Sequence, residues 1–174
     1  MALREILTEP NKILRQKSLV VEKVDKDIQK LMDDMLETMY AAPGIGLAAI
    51  QVGVPKRVIV LDIAKKDEPR SPLYFVNPEI KKKSDNLSTY EEGCLSVPGQ
   101  FAEINRPEKC HIKYLDYYGQ PKELRAEGML ATCIQHEIDH LEGILFIDYL
   151  SKLKKSMIVK KLSRQKKQID RIVV

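Results

Sequence analysis

The 174-residue chain contains no Trp, and only three His and three Cys. A protein built to read nucleic acid by base stacking needs aromatic platforms or a recognisable RNA-binding signature, and neither is present. Three thiols in a chain of this length are no disulfide framework and point to free Cys in a reducing, cytoplasmic setting. No apolar run approaches the ~20 residues of a membrane-spanning helix. The stretch "MALREILTEP" is broken by Arg4, Glu5 and Glu9 before a signal-peptide core can form. Repeats and low-complexity linkers are also absent. With 44% hydrophobic residues, residues 1–174 are expected to form a single domain around one sizeable core, with no membrane partner.

Acidic residues are scarce in one place. From residue 151 to residue 174 there are nine Lys or Arg and one Asp, a charge of +8, which leaves −4 for residues 1–150. Such a tail asks for a polyanionic partner. Leu153, Met157, Ile158, Leu162 and Ile169 are spaced as one apolar helical stripe, with Lys155, Lys160, Lys161, Lys166 and Lys167 on the remaining surface.

The preceding chain reads as mixed α and β. Ile28, Leu31, Met32, Met35, Leu36, Met39 and Tyr40 recur at helical spacing, which predicts a helix from about Asp25 to Ala41, ended by Pro43 and Gly44. "RVIVLDI" from Arg57, "LYFVNPEI" from Leu73 and "CHIKYLDYYG" from Cys110 are rich in β-branched and aromatic residues and predict strands. Gly119 turns the last of these back through "PKELRAE" as a hairpin. A second helix is expected over Gly128–Glu142, with Gly143 as its terminator.

Two motifs compete to define the chemistry. "GIGLAAIQVG", Gly44 to Gly53, fits the relaxed dinucleotide fingerprint G-x-G-x-x-G/A. That fingerprint must follow a strand and open a helix. Here a helix precedes it and strand-like sequence follows, so no nucleotide cofactor is expected. "QHEIDH", Gln135 to His140, is more specific. His136 and His140, four apart on a helix, bring two imidazoles to one face within reach of a single ion, with Glu137 beside them. In such H-E-x-x-H sites the metal acidifies a water and the carboxylate moves its proton to the leaving group.

A catalytic site of this kind needs a third ligand. The extended metalloprotease pattern fails, because Phe146 stands where its last His belongs. Cys133 lies about 10 Å along the helix axis from His140, too far to close a compact site, and reads as pocket wall or core. Cys110 and His111 alternate on a strand and cannot chelate together; His111 reads as structural. Cys94, in "EEGCLSVPG", sits in a loop or strand end open to an ion, where a ligand, a nucleophile and a buried thiol all remain open readings.

Taken together, "GIGLAAIQVG", "EGCLS" and "QHEIDH" resemble the three signature motifs of the peptide deformylases, in their order and at similar separations. The resemblance runs from about Pro10 to the last helix. It implies an α+β fold of antiparallel strands around a central metal-binding HExxH helix, with an N-terminal helix and a basic amphipathic C-terminal helix. It implies removal of the formyl group from the initiator methionine of nascent polypeptides, releasing formate. It further implies Cys94, His136 and His140 as metal ligands and Glu137 as general acid/base. Gln51 and the Leu95 backbone N–H would hold the oxyanion. Gly46 would admit the substrate backbone, and Ile45, Tyr90, Glu92, Thr132 and Cys133 would line or border the methionine pocket.

The resemblance implies ferrous iron as the native metal, whereas the donor set alone suits zinc, cobalt or nickel as well. It also implies ribosome docking by the C-terminal helix. One departure concerns the peptide beyond methionine: where some bacterial members carry an Arg, this chain reads Gly99, Gln100, Phe101. A structural metal protein and a ribosome- or RNA-binding module without catalysis are the competing classes. The first would leave Glu137 and Gln51 without roles.

Overall fold

The computed structural model describes residues 2–172. Helix α1, Lys26–Ala41, starts where Asp25 accepts a hydrogen bond from the Ile28 N–H at 3.0 Å, which satisfies a donor that the first turn leaves free. Its buried face carries Ile28, Leu31, Met32, Met35 and Met39, the spacing that the sequence announces. The chain then runs through strand β1, Gly46–Ala48, and a 3-10 turn, Ala49–Val52, into β2, Val58–Leu61, all of whose residues are buried.

Strands β3 (Leu73–Lys83), β6 (Lys109–Leu115) and β7 (Pro121–Glu127) complete a five-stranded antiparallel sheet of order β1-β2-β3-β6-β7. Strands β4 (Leu87–Cys94) and β5 (Val97–Pro107) form a separate antiparallel hairpin. This hairpin is absent from the sequence reading, which leaves "EEGCLSVPG" as a loop or strand end. Its charged and Gly/Pro-containing composition hides the pairing, since β4 buries only Glu92 and β5 only Val97, Ile104 and Arg106.

Helix α2, Gly128–Leu141, packs against β1, β2 and β7 of the larger sheet and against both strands of the hairpin. It is the element that joins the two layers. The backbone turns away at Gly143, which has φ +74° and where a Cβ would lie 2.4 Å from the Arg15 carbonyl oxygen. The N-terminal segment crosses the same region as a strap. The N–H groups of Leu7, Glu9 and Ser18 donate to the carbonyls of Gln51, Ser96 and Leu141.

A 3-10 turn, Phe146–Tyr149, leads into helix α3, Lys152–Ile172. The single apolar stripe expected for this helix is corrected by the structure. Leu162 is buried, and Ile158 and Val159 pack beside it against Val97, Ile104 and Phe146. Leu153 and Met157 remain exposed. At about 100° per residue, Leu153 and Ile158 lie well over a quarter-turn apart, so the five residues share no one face. Lys155 is bound to Asp148 at 2.7 Å, so it belongs to the body as well as to the basic surface. Among the described residues, no helix is long and apolar enough to cross a membrane.

Candidate metal centre and substrate cavity

The hairpin and α2 bring Cys94, His136 and His140 together, with one donor atom from each within 4.8 Å of the others. His136 and His140 meet because they are one turn apart on α2, their ring centroids 5.0 Å from each other. Cys94 arrives as the last residue of β4, where the register shifts between Gly93 and Cys94. Its Sγ lies 3.3 Å from His140 Nε2. Cys133 does not join the cluster; it lines the adjoining cavity, and burial pushes its thiol up to about 12. His111 stands apart on β6, 3.0 Å from Glu123.

The imidazole of His136 is oriented from behind. Its Nδ1 lies 2.8 Å from Glu92 Oε1, so the Nδ1–H donates to the carboxylate and Nε2 is left for the centre. Glu92 is in turn gripped by Arg106, Nε to Oε2 at 2.7 Å and NH2 to Oε1 at 3.0 Å. Arg106 NH1 reaches on to Asp139 at 2.8 Å. Glu92 borders the cavity, but both of its oxygens are committed to His136 and Arg106. Sequence reasoning missed Arg106 and Asp139: an Arg in a polar strand carries no signal of the carboxylate it meets across the hairpin.

Glu137 is buried next to the donors, and its Oε2 has no hydrogen-bond partner. Burial pushes its carboxyl up to about 7, with His136 pulling against this and Glu92 adding to it. Burial drives His140 well below the ordinary imidazole range, and His136 adds to the effect. A Cβ at Gly46 would lie 2.6 Å from Glu137 Oε1. The bare backbone of β1 thus makes room for the carboxylate itself, a reason for this glycine that the sequence does not disclose.

Gln51 is aimed by its own 3-10 turn. Its Oε1 accepts from the Ala48 N–H at 2.9 Å, while Nε2 donates to Ser96 Oγ at 3.0 Å and approaches Cys94 Sγ at 3.6 Å. In front of these groups opens a cavity of about 470 Å³. Ile45, Gly46, Gln51, Tyr90, Glu92, Leu95, Thr132 and Cys133 all line it, together with Cys94, His136 and Glu137. Among the described residues, no Lys or Arg contributes to its wall. Phe101 and Met129 add exposed apolar surface at its border.

One thiol and two imidazoles converging at this range are a donor set for a single borderline divalent metal. The second nitrogen of His136 is already held by a carboxylate, as the imidazoles of such sites are. The residues present fit a metal.

The sequence profile of the polypeptide deformylases matches residues 3–156. The chain belongs to the polypeptide deformylase family. It is 66% identical to the peptide deformylase of Pelagibacter ubique over the whole of both chains. To that of Maricaulis maris it is 62% identical over 98% of each. Among solved structures it is similar to a peptide deformylase from Ehrlichia chaffeensis in complex with actinonin, with a TM-score of 0.91, 46% identity and coverage of 95% of this chain and 98% of that one. A peptide deformylase from Legionella pneumophila gives a TM-score of 0.89 at 45% identity, covering 98% and 99%. The enzymatic activity of the family, metal-dependent removal of the formyl group from N-formylmethionyl chains with release of formate, is the activity that this chain carries.

Proposed function

We propose that Cys94, His136 and His140 hold one divalent metal, natively ferrous iron, and that residues 1–174 act as one catalytic unit in the cytoplasm, where formylated chains emerge. The observation that carries the site assignment is the convergence of these donors beside a buried, unpartnered Glu137 carboxylate at the floor of the cavity. A metal bound there supplies Lewis acidity to the reacting water and carbonyl. Glu137 takes a proton from the water and delivers it to the departing methionine nitrogen. The Gln51 Nε2–H and the Leu95 backbone N–H hold the developing charge on the formyl oxygen. Gln51 is suited to this because its amide is fixed at both ends, so it needs no reorganisation during the reaction.

The methionine side chain enters the apolar part of the cavity, against Ile45, Tyr90, Thr132 and Cys133. Cys133 serves as neutral wall, its thiol kept protonated by burial. Glu92 contributes by aiming His136.

The test is hydrolysis of a formyl-methionyl peptide by anaerobically purified protein, with the metal measured in the same sample. Activity lost with a chelator and regained with iron supports the assignment; activity independent of metal sinks it. Glu137→Ala and Gln51→Ala should each retain metal and lose at least ~100-fold in turnover. Near-native turnover would remove the residue from the mechanism.

The basic surface of α3 is read as a ribosome contact. Lys160, Lys161, Lys166 and Lys167 are exposed, beside the uncovered Leu153 and Met157. Phosphate contacts make such binding fall steeply with salt. Replacement of Lys160, Lys161, Lys166 and Lys167 by Ala keeps the buried Leu162 in place and should spare hydrolysis of a short peptide. It should also reduce low-salt co-sedimentation with ribosomes; unchanged co-sedimentation would leave α3 a solvated helix.

A further inference from the structure

We infer that Tyr149 is a positioning residue for the metal centre, acting through Asp139 and Arg106 on the Glu92 carboxylate that orients His136. The inference rests on the reading of Cys94, His136 and His140 as the metal ligands. Its starting point is a continuous path of short polar contacts. From His136 it runs to Glu92 and Arg106, and from Arg106 to Asp139 Oδ2 at 2.8 Å. The Tyr149 hydroxyl donates to the same Oδ2 at 2.7 Å. The path thus leads from a buried imidazole to a side chain that is 52% exposed.

Arg106 is the pivot. Its paired N–H groups fix the plane of the Glu92 carboxylate, and one of the oxygens so fixed, Oε1, receives the His136 proton. Any rotation of the guanidinium would swing that oxygen away from Nδ1. Two groups oppose the rotation from the far side: Asp139, and the Tyr149 ring, whose centroid lies 5.0 Å from Arg106 Cζ. Arg106 is only 4% exposed, while the Tyr149 ring over it is half exposed. The turn that carries Tyr149 also touches His136 directly, since the Phe146 ring stacks on the imidazole with centroids 6.3 Å apart. One 3-10 turn therefore braces the ligand from two sides.

The experiment is a cobalt(II) titration of metal-free full-length protein, reading affinity by chelator competition and the visible absorption of the cobalt–thiolate site, with thermal melts of the same samples. Removal of an outer partner of a ligand weakens metal binding by about 10–100-fold. Asp139→Asn should fall in that range. Tyr149→Ala, which admits water to Arg106, should weaken binding by about 10-fold and shift the cobalt bands. Tyr149→Phe keeps the ring over the guanidinium and should recover part of the loss. If the wild type binds one cobalt per chain and both Tyr149 variants match it in affinity and spectrum, whatever their melting temperatures and whatever Asp139→Asn does, the positioning role of Tyr149 is overturned. If the wild type itself takes up no cobalt, the metal reading falls and this inference with it.

Discussion

Helices α2 and α3 are built on opposite principles. In α2 the polar residues Thr132, Gln135, His136, Glu137 and His140 are buried, and the structure must answer for each of them. Among the described side chains of α3 the charges other than Lys155 face water, and only Leu162 is wholly enclosed. A buried polar group is costly unless it is partnered or used. In α2 the atoms left over are Thr132 Oγ1, Glu137 Oε2 and His140 Nδ1, and Thr132 and Glu137 line the cavity, where chemistry can use them. Most of α3 carries no such constraint, and its composition is free to serve a partner's charge. On the reading proposed above, the contrast separates residues that make the reaction from residues that place the enzyme.

The comparison can be broken most severely at the ligands. Cys94→Ala should abolish metal retention, measured by elemental analysis after gel filtration, while Cys133→Ala should keep the metal. Full occupancy without Cys94 would refute the coordination. Gly46→Ala should act next most strongly. The new Cβ must displace the Glu137 carboxylate, so turnover should fall by about 100-fold with metal content unchanged. An unaffected turnover number would mean that Glu137 has room to move.

Within α3 the contrast sharpens to two neighbouring turns. Leu162→Ala should cost about 2–5 kcal/mol in denaturant unfolding. Met157→Ala, at an exposed position, should stay within about 0.5 kcal/mol. Equal effects would mean that the outer face of α3 is covered in solution.

A smaller effect is expected at Asp34, a buried carboxylate remote from the metal. Burial raises its pKa, but hydrogen bonds from Lys30, the Ala2 N–H and Arg4 outweigh this and hold it at about 2, below the ordinary 3.8. The stabilisation is present in full above about pH 4 and is lost as pH falls toward 2. Asp34→Asn should cost about 1–3 kcal/mol at neutral pH. Its deficit should narrow in acid; a deficit constant from pH 7 to 2 would mean that the charge is not what stabilises.

Legibility followed the range of the interactions. Helices α1 and α2 were readable because their signals are local: an apolar period within a few turns, Pro43 and Gly44 after the first and the Gly143 terminator after the second. The two His and Glu137 were readable because one helix carries all three. Cys94 was ambiguous on its own residues, since the strand that delivers it is polar and its partner strand lies beyond a turn. Arg106, Asp139 and Tyr149 gave no signal as a set. Their meeting depends on the packing of the hairpin against α2 and the following turn. The α3 stripe misled because apolar residues on two faces of a helix can match one spacing template by count.

The N-terminal strap has a consequence for the order of events during synthesis. Leu7, Glu9 and Ser18 find their carbonyl partners on Gln51, Ser96 and Leu141, each farther along the chain. These bonds close loops of increasing length, and the last of them is impossible until α2 has left the ribosome. The strap also runs over the Gln51 turn and the Ser96 to which Gln51 is bound. The strap residues are therefore made before their partners: Leu7 and Glu9 can be fastened, and Gln51 supported, once Ser96 has been made, whereas Ser18 must wait until both histidines and Leu141 have been translated.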